Sequence, residues 1–392
     1  MSQRNSWWKQ SKIPIAWLLL ARFRVKLFTA LIGIVFASIL LHAQLGLRSA
    51  LFESSISIFK TFNADIVVIS KVAVGSTSLQ SFDRNRLVIF DRYPEVVDTT
   101  PVRYDFVRWR YAGSRESRLA IMLGFDPRLR IFNQEDILKN QSTLLLPGRI
   151  LYDELSRREF GPVKKDFEKP KPLFAFINDQ RARISGLVKL GTSFSYDASF
   201  LTSLSTFELL SDNKTDYIEI GLVKLFPGTD AVSFLRRIQA NLPSDVQAYT
   251  LQDFLDFEKG YWDRSKPIGF IFAFNAVLGF TVGMLILYQI LYTDVSNHLS
   301  DFSTMLALAF TYKRIRLIVF QESLFLAVIG YPIGVFASVL LFELISSVTG
   351  LPVRMSTDRV LICFLIVLLM SSCSALMAMR KLDDANPIEV FE

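Results

Sequence analysis

Four long apolar segments limit what this chain can fold into more than any other feature of its sequence. They cover residues 27–47, 267–292, 316–345 and 360–379. A helix of about 20 mainly apolar residues crosses the hydrocarbon layer of a membrane, and each segment reaches that length. The first segment is too long, and lies too far inside the chain, for a cleaved signal peptide. The sequence therefore predicts a polytopic α-helical membrane protein with four transmembrane helices.

A large water-exposed domain is predicted between the first two apolar segments, at residues 48–266. The 392 residues are 51% hydrophobic and 21% charged, which is too apolar for an ordinary soluble domain and too charged for spans alone. Both cysteines, Cys363 and Cys373, lie in the last apolar segment. The domain therefore has no cysteine for a disulfide and needs an ordinary core.

Three clusters of basic residues fall on one side of the membrane if all four segments span it. They are Arg4, Lys9, Lys12, Arg22, Arg24 and Lys26, then Lys313, Arg314 and Arg316, then Arg380 and Lys381. The positive-inside rule makes that side cytoplasmic, so both termini and the loop 293–315 are predicted inside. The domain and the loop 346–359 are then outside. These flanks account for much of the net charge of +7, so we expect no nucleic-acid partner.

The first 26 residues interleave tryptophan with basic residues. Trp7, Trp8 and Trp17 lie among lysines and arginines, a pattern typical of a helix in the inner membrane interface. The alternative is a basic tail whose tryptophans have no such role. We predict a cytoplasmic interfacial helix at 1–26, and a short cytoplasmic tail at 380–392.

Alternating or β-branched runs in the domain predict strands at 65–70, 102–109, 118–125, 183–190 and 216–225. Helical stretches separate several of these strands, so a mixed α/β domain is expected. Its clearest unit is a strand ending at Leu225, a helix over about 230–241 capped by Thr229, and a strand near 246–249. Thr250 and Asp253 then match a capping box for a helix that leads into the second span.

The sequence offers no catalytic constellation. The domain contains no HExxH, no GxSxG, no cysteine and no histidine. His42 and His298 are too far apart in the topology to share a metal, and no GxxxxGK[ST] loop is present to hold a nucleotide. We therefore expect no catalytic, cofactor-binding or metal-binding residue in this chain. If ATP drives the protein, another chain binds the ATP.

The cytoplasmic loop is predicted to contain an amphipathic helix. Its apolar residues recur at helical spacing, and its opposite face carries polar residues that include Asp294 and Asp301. One interpretation is a helix lying on lipid, and the other is a docking helix for a partner protein. The acidic face favours docking, because anionic headgroups prefer Lys and Arg.

Glu322 lies inside the third apolar segment, where an unpaired charge would cost at least about 2.5 kcal/mol. We predict that its carboxylate faces protein or water, has a partner and tethers the third span; the alternative is a side chain that reaches the cytoplasmic surface. Two small-residue motifs permit close helix approach or dimerisation, and a proline inside the second one can kink the span. These residues are Gly279, Gly283, Gly330, Pro332 and Gly334.

Several strings in this chain resemble the permeases of the MacB and FtsX superfamily, the type VII ABC exporters. The order of one span, a large external domain and three further spans is similar, and the DevC type of cyanobacteria is closest. The strings are Asp256-Phe-Glu-Lys-Gly-Tyr-Trp262, Pro267-Ile-Gly-Phe-Ile-Phe272, Tyr288-Gln-Ile-Leu-Tyr-Thr-Asp-Val-Ser296, Gln321-Glu322 and Asn386-Pro387-Ile-Glu-Val-Phe391.

The resemblance implies a permease subunit that forms a homodimer in the inner membrane of a Gram-negative-type bacterium, here expected to be a cyanobacterium. Its implied partners are a DevA-like cytoplasmic ATPase that holds ATP and Mg, a DevB-like periplasmic adaptor, a TolC-like outer-membrane protein and membrane lipids. ATP-driven closure would rock the spans and move an amphiphile, such as a lipid or glycolipid, into the duct. The implied ATPase-docking residues are Val295, His298, Leu299, Asp301, Phe302 and Met305.

Two departures from the family pattern affect the loop helix. Relatives end this helix in Lys-Ala-Met-Gly or Arg-Ala-Leu-Gly, whereas this chain has Leu306-Ala307-Leu308-Ala309. Asp301 stands where relatives have Glu, which keeps the charge and shortens its reach. Partner choice is therefore expected to differ from that of close relatives.

Two other functions fit the same membrane topology. One is an FtsX-like transmitter whose external domain activates a cell-wall hydrolase, and the other is Lol-like extraction of lipoproteins from the outer leaflet. A stand-alone membrane enzyme is disfavoured by the missing catalytic groups.

Overall fold

The computed structural model describes residues 24–191, 193–211, 216–265, 267–308, 310–351 and 353–384. It divides into two compact units. The first, called the membrane unit, contains the chain up to Arg48, Phe270–Ser346 and the chain from Val353 onward. The second, called the sheet domain, contains Ser49–Gly269 and Ser347–Pro352. Almost all of the predicted interfacial helix, the ending Asn386 to Phe391 and Ala309 lie outside the described residues.

Ten α-helices are present in the described parts of the chain. They are α1 (Arg24–Ser55), α2 (Glu135–Asn140), α3 (Val163–Phe167), α4 (Leu204–Ser211), α5 (Ala231–Ile238), α6 (Leu251–Gly260), α7 (Ile268–Asn297), α8 (Leu299–Ala307), α9 (Tyr312–Thr349) and α10 (Thr357–Ala378). Four of them, α1, α7, α9 and α10, are long and apolar enough to cross a membrane. The predicted number of transmembrane helices is therefore confirmed.

The transmembrane helices are longer than the apolar segments of the sequence. The helix α1 continues past residue 47 to Ser55, and α9 starts at Tyr312 and includes Lys313 and Arg314. Hydropathy detects only the part of a helix that suits lipid, whereas the backbone hydrogen bonds continue through polar residues at either end. The helix limits therefore exceed the hydrophobic limits.

The sheet domain contains eleven strands among its described residues. They are β1 (Ile66–Ser70), β2 (Phe82–Asp83), β3 (Val96–Tyr111), β4 (Arg118–Phe125), β5 (Arg149–Asp153), β6 (Leu173–Ile177), β7 (Gln180–Val188), β8 (Ser199–Ser203), β9 (Tyr217–Ile218), β10 (Ile220–Leu225) and β11 (Val246–Thr250). Nine form one sheet in the order β11-β1-β10-β3-β4-β8-β5-β7-β6, while β2 pairs with β9. The predicted mixed α/β domain is confirmed.

The long strand β3 joins two parts of the sheet. Its first half pairs with β10 and its second half with β4, both antiparallel. The residues Trp109 to Tyr111 at its end pair with β6 as well, so β3, β4, β8, β5, β7 and β6 form a closed ring of hydrogen-bonded strands. Closure leaves no free edge in this part of the sheet. The strands β10, β1 and β11 extend from β3 as an open sheet.

The strand β4 is covered on both faces. Ala120 and Met122 join one apolar cluster, together with Trp109 and Phe200, whereas Ile121 joins another. Residues of opposite parity point to opposite faces of a sheet. This burial explains why the strand reads as a nearly continuous apolar run, in place of an alternating one.

The unit β10–α5–β11 has the predicted order, with one correction at its cap. We predicted Thr229 as the helix cap, but the structure places Asp230 there, with its carboxylate accepting from Val232 N at 3.4 Å and Ser233 N at 3.0 Å. A carboxylate one residue closer to the helix satisfies two amide groups of the first turn. Both β10 and β11 pair antiparallel with β1, which lies between them.

The predicted strand 216–225 is interrupted at Glu219, so it forms β9 and β10 instead. The Glu219 carboxylate accepts from Arg103 Nε at 3.0 Å and Tyr104 N at 2.9 Å, and both charged side chains are largely buried. Burial raises the pKa of Glu219 despite these partners. A buried charge needs such partners, and their position draws this residue out of the regular strand. The predicted cap of α6 at Thr250 is confirmed, because Thr250 Oγ1 accepts from Asp253 N at 3.1 Å. The Asp253 carboxylate accepts from Thr250 Oγ1 at 2.7 Å, whereas in a capping box it would accept from Thr250 N.

The cap of α5 can be tested with neighbouring substitutions. Asp230→Ala should destabilise the protein by about 1 kcal/mol, because two amide groups lose their acceptor. Thr229→Ala should have little effect, since Thr229 does not cap the helix. Thermal unfolding of the detergent-solubilised chain, followed by tryptophan fluorescence, measures both changes. A larger loss for Thr229→Ala would contradict this assignment.

Candidate functional site

The candidate docking segment begins where the second transmembrane helix ends. The helix α7 runs to Asn297, beyond the predicted span limit of residue 292, and α8 follows at Leu299. Between them, His298 has φ −103° and ψ 12°, outside the helical conformation. His298 N still donates to Asp294 O at 3.1 Å, and Phe302 N donates to His298 O at 2.9 Å. The two helices are thus separated by a single-residue break.

Two carboxylates face the His298 ring across this break. Asp301 Oδ2 lies 2.8 Å from Nδ1, and Asp294 Oδ1 lies 3.8 Å from Nε2. Asp294 belongs to α7 and Asp301 to the first turn of α8, where a negative charge interacts favourably with the helix dipole. The imidazole therefore links the end of α7 to the start of α8.

The predicted docking residues divide into a buried and an accessible group. Val295 and Phe302 are each 1% exposed, and both lie in the apolar core of the membrane unit. His298 is buried as well, while Leu299 and Met305 are partly buried. Of the set, Asp301 alone has a mainly exposed side chain. The buried members hold α8 against the other helices of its own unit and are not available to a partner in this arrangement.

The accessible face of α8 is the polar face. Ser300, Asp301 and Thr304 are exposed, as are Ala307 and Leu308 at its end. Sequence reasoning took the apolar face as the docking face, because an amphipathic helix can place that face in a groove of a partner. Here the apolar face packs within the membrane unit. In the sequence, the accessible face was indicated by Ser300 and Thr304, which lie on the same side of the helix as Asp301.

Glu322 is 1% exposed and lines a cavity of about 190 Å³ in the membrane unit. Helices α1, α7 and α9 supply the walls, which include Thr29, Gln289, Thr293 and Asp294. Asp294 is the residue that also approaches His298. The candidate docking segment and the Glu322 cavity therefore share one side chain.

The predicted small-residue motifs pack against α1 of the same chain. A methyl group added at Gly283 would lie 2.6 Å from Ala37 Cβ, and one at Gly334 would lie 2.5 Å from Ser38 Cβ. A methyl group added at Gly330 would lie 2.9 Å from Ile34 Cγ2, which is also too close. A methyl group added at Gly279 would lie 3.7 Å from Leu40 Cβ, an ordinary contact distance. These glycines thus permit close packing within one bundle. Pro332 lies inside α9 and is exposed.

Sequence reasoning missed a polar contact between transmembrane helices. His42 Nδ1 lies 2.8 Å from Ser38 O in α1, and His42 Nε2 lies 3.3 Å from Tyr331 OH in α9. Tyr331 OH also donates to Val360 O in α10. A histidine and a tyrosine inside apolar spans were the signal for this contact, since such groups find polar partners in a bundle.

In the sheet domain, a fully buried carboxylate fastens the segment that precedes α7. Glu258 accepts from Ser76 N at 2.7 Å, Ser76 Oγ at 2.6 Å and Trp262 Nε1 at 2.9 Å. Burial raises the pKa of Glu258 above its ordinary value of 4.5, although these hydrogen bonds lower it. The ring of Tyr261 lies against Gly75, where an added methyl group would come within 2.5 Å. The end of α6 and the following turn are therefore fixed to residues 75–76.

Residues 273–387 match the family described as FtsX-like permease C-terminal. This range covers most of α7 and all of α8, α9 and α10. This part of the chain is therefore similar to the C-terminal region of FtsX-like permeases. The assignment to the MacB and FtsX superfamily and to its DevC type stays a prediction. No curated protein matches the chain.

Two solved structures are similar to part of the chain. The periplasmic region of MacB from Actinobacillus actinomycetemcomitans is 12% identical, with a TM-score of 0.35, over 52% of this chain and 96% of that one. The extracellular domain of the noncanonic ABC-type transporter YknZ from Gram-positive bacteria is 12% identical, with a TM-score of 0.30, over 48% of this chain and 100% of that one.

The close contact at Gly283 predicts a difference between two neighbouring glycines. Gly283→Ala should destabilise the membrane unit by about 1–3 kcal/mol, because Ala37 Cβ cannot rotate away from the added methyl group. Gly279→Ala is the matched control and should be tolerated. The midpoint of thermal unfolding in detergent measures both, and equal midpoints would contradict the packing described here.

The Glu258 contacts predict that the loss of stability in a Glu258 variant depends on pH. Glu258→Gln should cost about 1–3 kcal/mol, because an amide nitrogen cannot accept a hydrogen bond, whereas both oxygens of a carboxyl group can accept in the protonated form as well. Because the pKa of Glu258 is raised on folding, its contribution is fully present below about pH 4.5 and is lost as the pH rises. The difference between wild type and variant should therefore narrow from acid toward neutral pH. Asp256→Asn, an exposed carboxylate in the same helix, should show no such trend in thermal unfolding.

Proposed function

We propose that this chain is the permease subunit of an ATP-driven exporter of the DevC type. It moves a lipid, glycolipid or other amphiphile from the periplasm or the outer leaflet to an outer-membrane duct. The observation that carries the proposal is the FtsX-like permease match over residues 273–387, which spans three transmembrane helices and the loop helix between the first two. The DevC-type strings in the sequence support the narrower assignment.

In this proposal, a separate ATPase binds ATP and Mg and docks on the accessible face of α8. Ser300, Asp301 and Thr304 provide that face. Their small polar side chains suit a reversible contact with another protein, and the charge of Asp301 selects a basic partner residue. The chain forms a homodimer in the inner membrane with its termini in the cytoplasm, and works with a DevB-like adaptor and a TolC-like duct.

Force from the ATPase passes along the chain in two steps. Displacement of α8 pulls on α7, because Phe302 is buried in the core of the membrane unit and His298 lies between Asp294 and Asp301. The helix α7 begins at Ile268, directly after the turn that Glu258 and Trp262 hold in the sheet domain. Movement of α7 is thereby transmitted to the sheet domain, which pushes the substrate toward the duct.

Co-purification tests this proposal. The tagged chain is solubilised from its native membrane, and the proteins recovered with it are identified by mass spectrometry. An ATPase subunit together with a periplasmic adaptor is the expected result. A cell-wall hydrolase in place of the adaptor would overturn export and favour force transmission to a hydrolase.

Substitutions on α8 test the docking face in the same experiment. Asp301→Lys and Thr304→Arg should each lower the recovered ATPase at least about tenfold, because both place a new cation on the face that meets it. Thr304→Arg leaves the His298–Asp301 contact in place, so it separates docking from the helix break. Asp179→Lys, an exposed charge reversal in the sheet domain, is the control. Normal ATPase recovery with both α8 variants would remove the docking assignment.

A further inference from the structure

The sheet domain contains a basic pocket that the proposed export mechanism does not use. Its volume is about 330 Å³, and it lies beside β5, β7 and the loop that follows α3. Four cationic side chains line it: Arg149, Lys169, Lys171 and Arg183. The described lining includes no carboxylate. The pocket therefore has a positive potential with no internal counter-charge.

Two of these cations occupy paired positions in the sheet. Arg149 of β5 and Arg183 of β7 are register partners in a parallel pair. Partners in register lie on the same face of a sheet, and like charges at such positions repel each other. An anion between the two guanidinium groups would turn this repulsion into two attractions. The adjacent positions of Arg149 and Arg183 are therefore unfavourable without an anion and favourable when an anion lies between them.

The neighbouring carboxylates do not neutralise the pocket. Lys169 Nζ forms an ion pair with Asp166 Oδ1 at 2.5 Å. Among the described residues, no carboxylate lies within ion-pair distance of Arg149, Lys171 or Arg183. Pro170 and Pro172 flank Lys171 and restrict the backbone that carries it. Three uncompensated positive charges thus remain around one concavity.

A hydroxyl group in the same pocket has no partner among the described residues. Ser185 Oγ is buried and forms no hydrogen bond there. The register of β5 and β7 shifts between Ile150 and Leu151, which leaves Ser185 as the extra residue of a bulge. Bulges re-aim side chains and occur often beside functional sites. A buried hydroxyl without a partner costs free energy, which an anion accepting from it would recover.

We propose that this pocket binds a phosphate-type oxyanion, with Arg149 and Arg183 on either side of it and Ser185 Oγ donating to it. Guanidinium groups match the oxygens of phosphate with paired hydrogen bonds. Three uncompensated cations suit a group with two negative charges and several acceptor oxygens better than a single carboxylate. The phosphate group can be free or can belong to a lipid headgroup.

Binding is measured by calorimetry and thermal unfolding on the full chain in detergent. The probes are inorganic phosphate and dihexanoyl phosphatidate, each against sodium chloride at the same ionic strength. Saturable binding of inorganic phosphate is the result expected for recognition of the group itself. Binding of the phosphatidate alone, lost in the pocket variants, would assign the site to a lipid headgroup.

The variants distinguish a specific pocket from general attraction to a basic surface. Arg149→Gln and Arg183→Gln should each raise the dissociation constant at least about tenfold, since one charge-assisted contact is lost. Without phosphate, neither variant should unfold at a lower temperature than the wild type, because repulsion between register partners is removed. Arg236→Gln, an exposed arginine on α5, makes the same charge change elsewhere in the domain and should leave binding unchanged.

Three outcomes would overturn the proposal. The first is the absence of saturable binding for both phosphate probes. The second is an equal loss in Arg236→Gln and Arg183→Gln, which would indicate attraction to the overall charge. The third is binding of polyglutamate without binding of either phosphate probe, which would make the surface a contact for an acidic protein.

Discussion

Close packing of α1 against its neighbours is the constraint on which the membrane unit depends. In lipid, apolar surface gains little from contacting other apolar surface, so helices associate through van der Waals contact at short range. Ala37 and Ser38 meet Gly283 of α7 and Gly334 of α9 at distances that leave no room for a methyl group. The first transmembrane helix therefore packs against two helices that follow it by more than 200 residues in the chain, and residues that resemble a dimerisation motif are used inside the bundle.

Buried polar groups form hydrogen bonds between these helices and fix their positions along one another. His42, Tyr331 and Val360 connect α1, α9 and α10, and Ser374 Oγ of α10 donates to Met284 O of α7 at 2.8 Å. In the sheet domain, Glu258 and Glu219 have the same role, since each accepts from groups in a distant part of the chain. Apolar packing alone tolerates sliding, whereas a buried polar group away from its partner is costly. Buried polar contacts thus fix the positions of distant segments both in the membrane unit and in the sheet domain.

The membrane unit brings the loop helix and the buried glutamate into one neighbourhood. Asp294 lines the Glu322 cavity and also approaches His298 at the start of α8. A shift of the loop helix would change the surroundings of that cavity. The proposed docking surface on α8 and the cavity between the transmembrane helices are therefore neighbours in the structure. The basic pocket of the sheet domain is a separate feature, built on one strand bulge and one pair of arginines.

The sequence by itself determined the elements whose signals are local. Apolar length gave the four spans, short apolar runs gave strands such as β4, and the Thr250–Asp253 spacing gave the cap of α6, because each depends on residues adjacent in the chain. The cap at Asp230 was misplaced by one residue, since two neighbouring residues both suit a cap and only the backbone path selects between them.

Tertiary structure decided which faces are free. Val295 and Phe302 belong to the apolar face that periodicity indicated in the loop, yet both are buried in their own unit. The exposed positions of the first two turns of α8 are the polar residues Ser300, Asp301 and Thr304. The register that places Arg149 beside Arg183, and the contacts of Gly283 and Glu258, join residues far apart in the chain. Periodicity shows that a face is apolar and does not show what covers it. That depends on long-range packing, which no local pattern encodes.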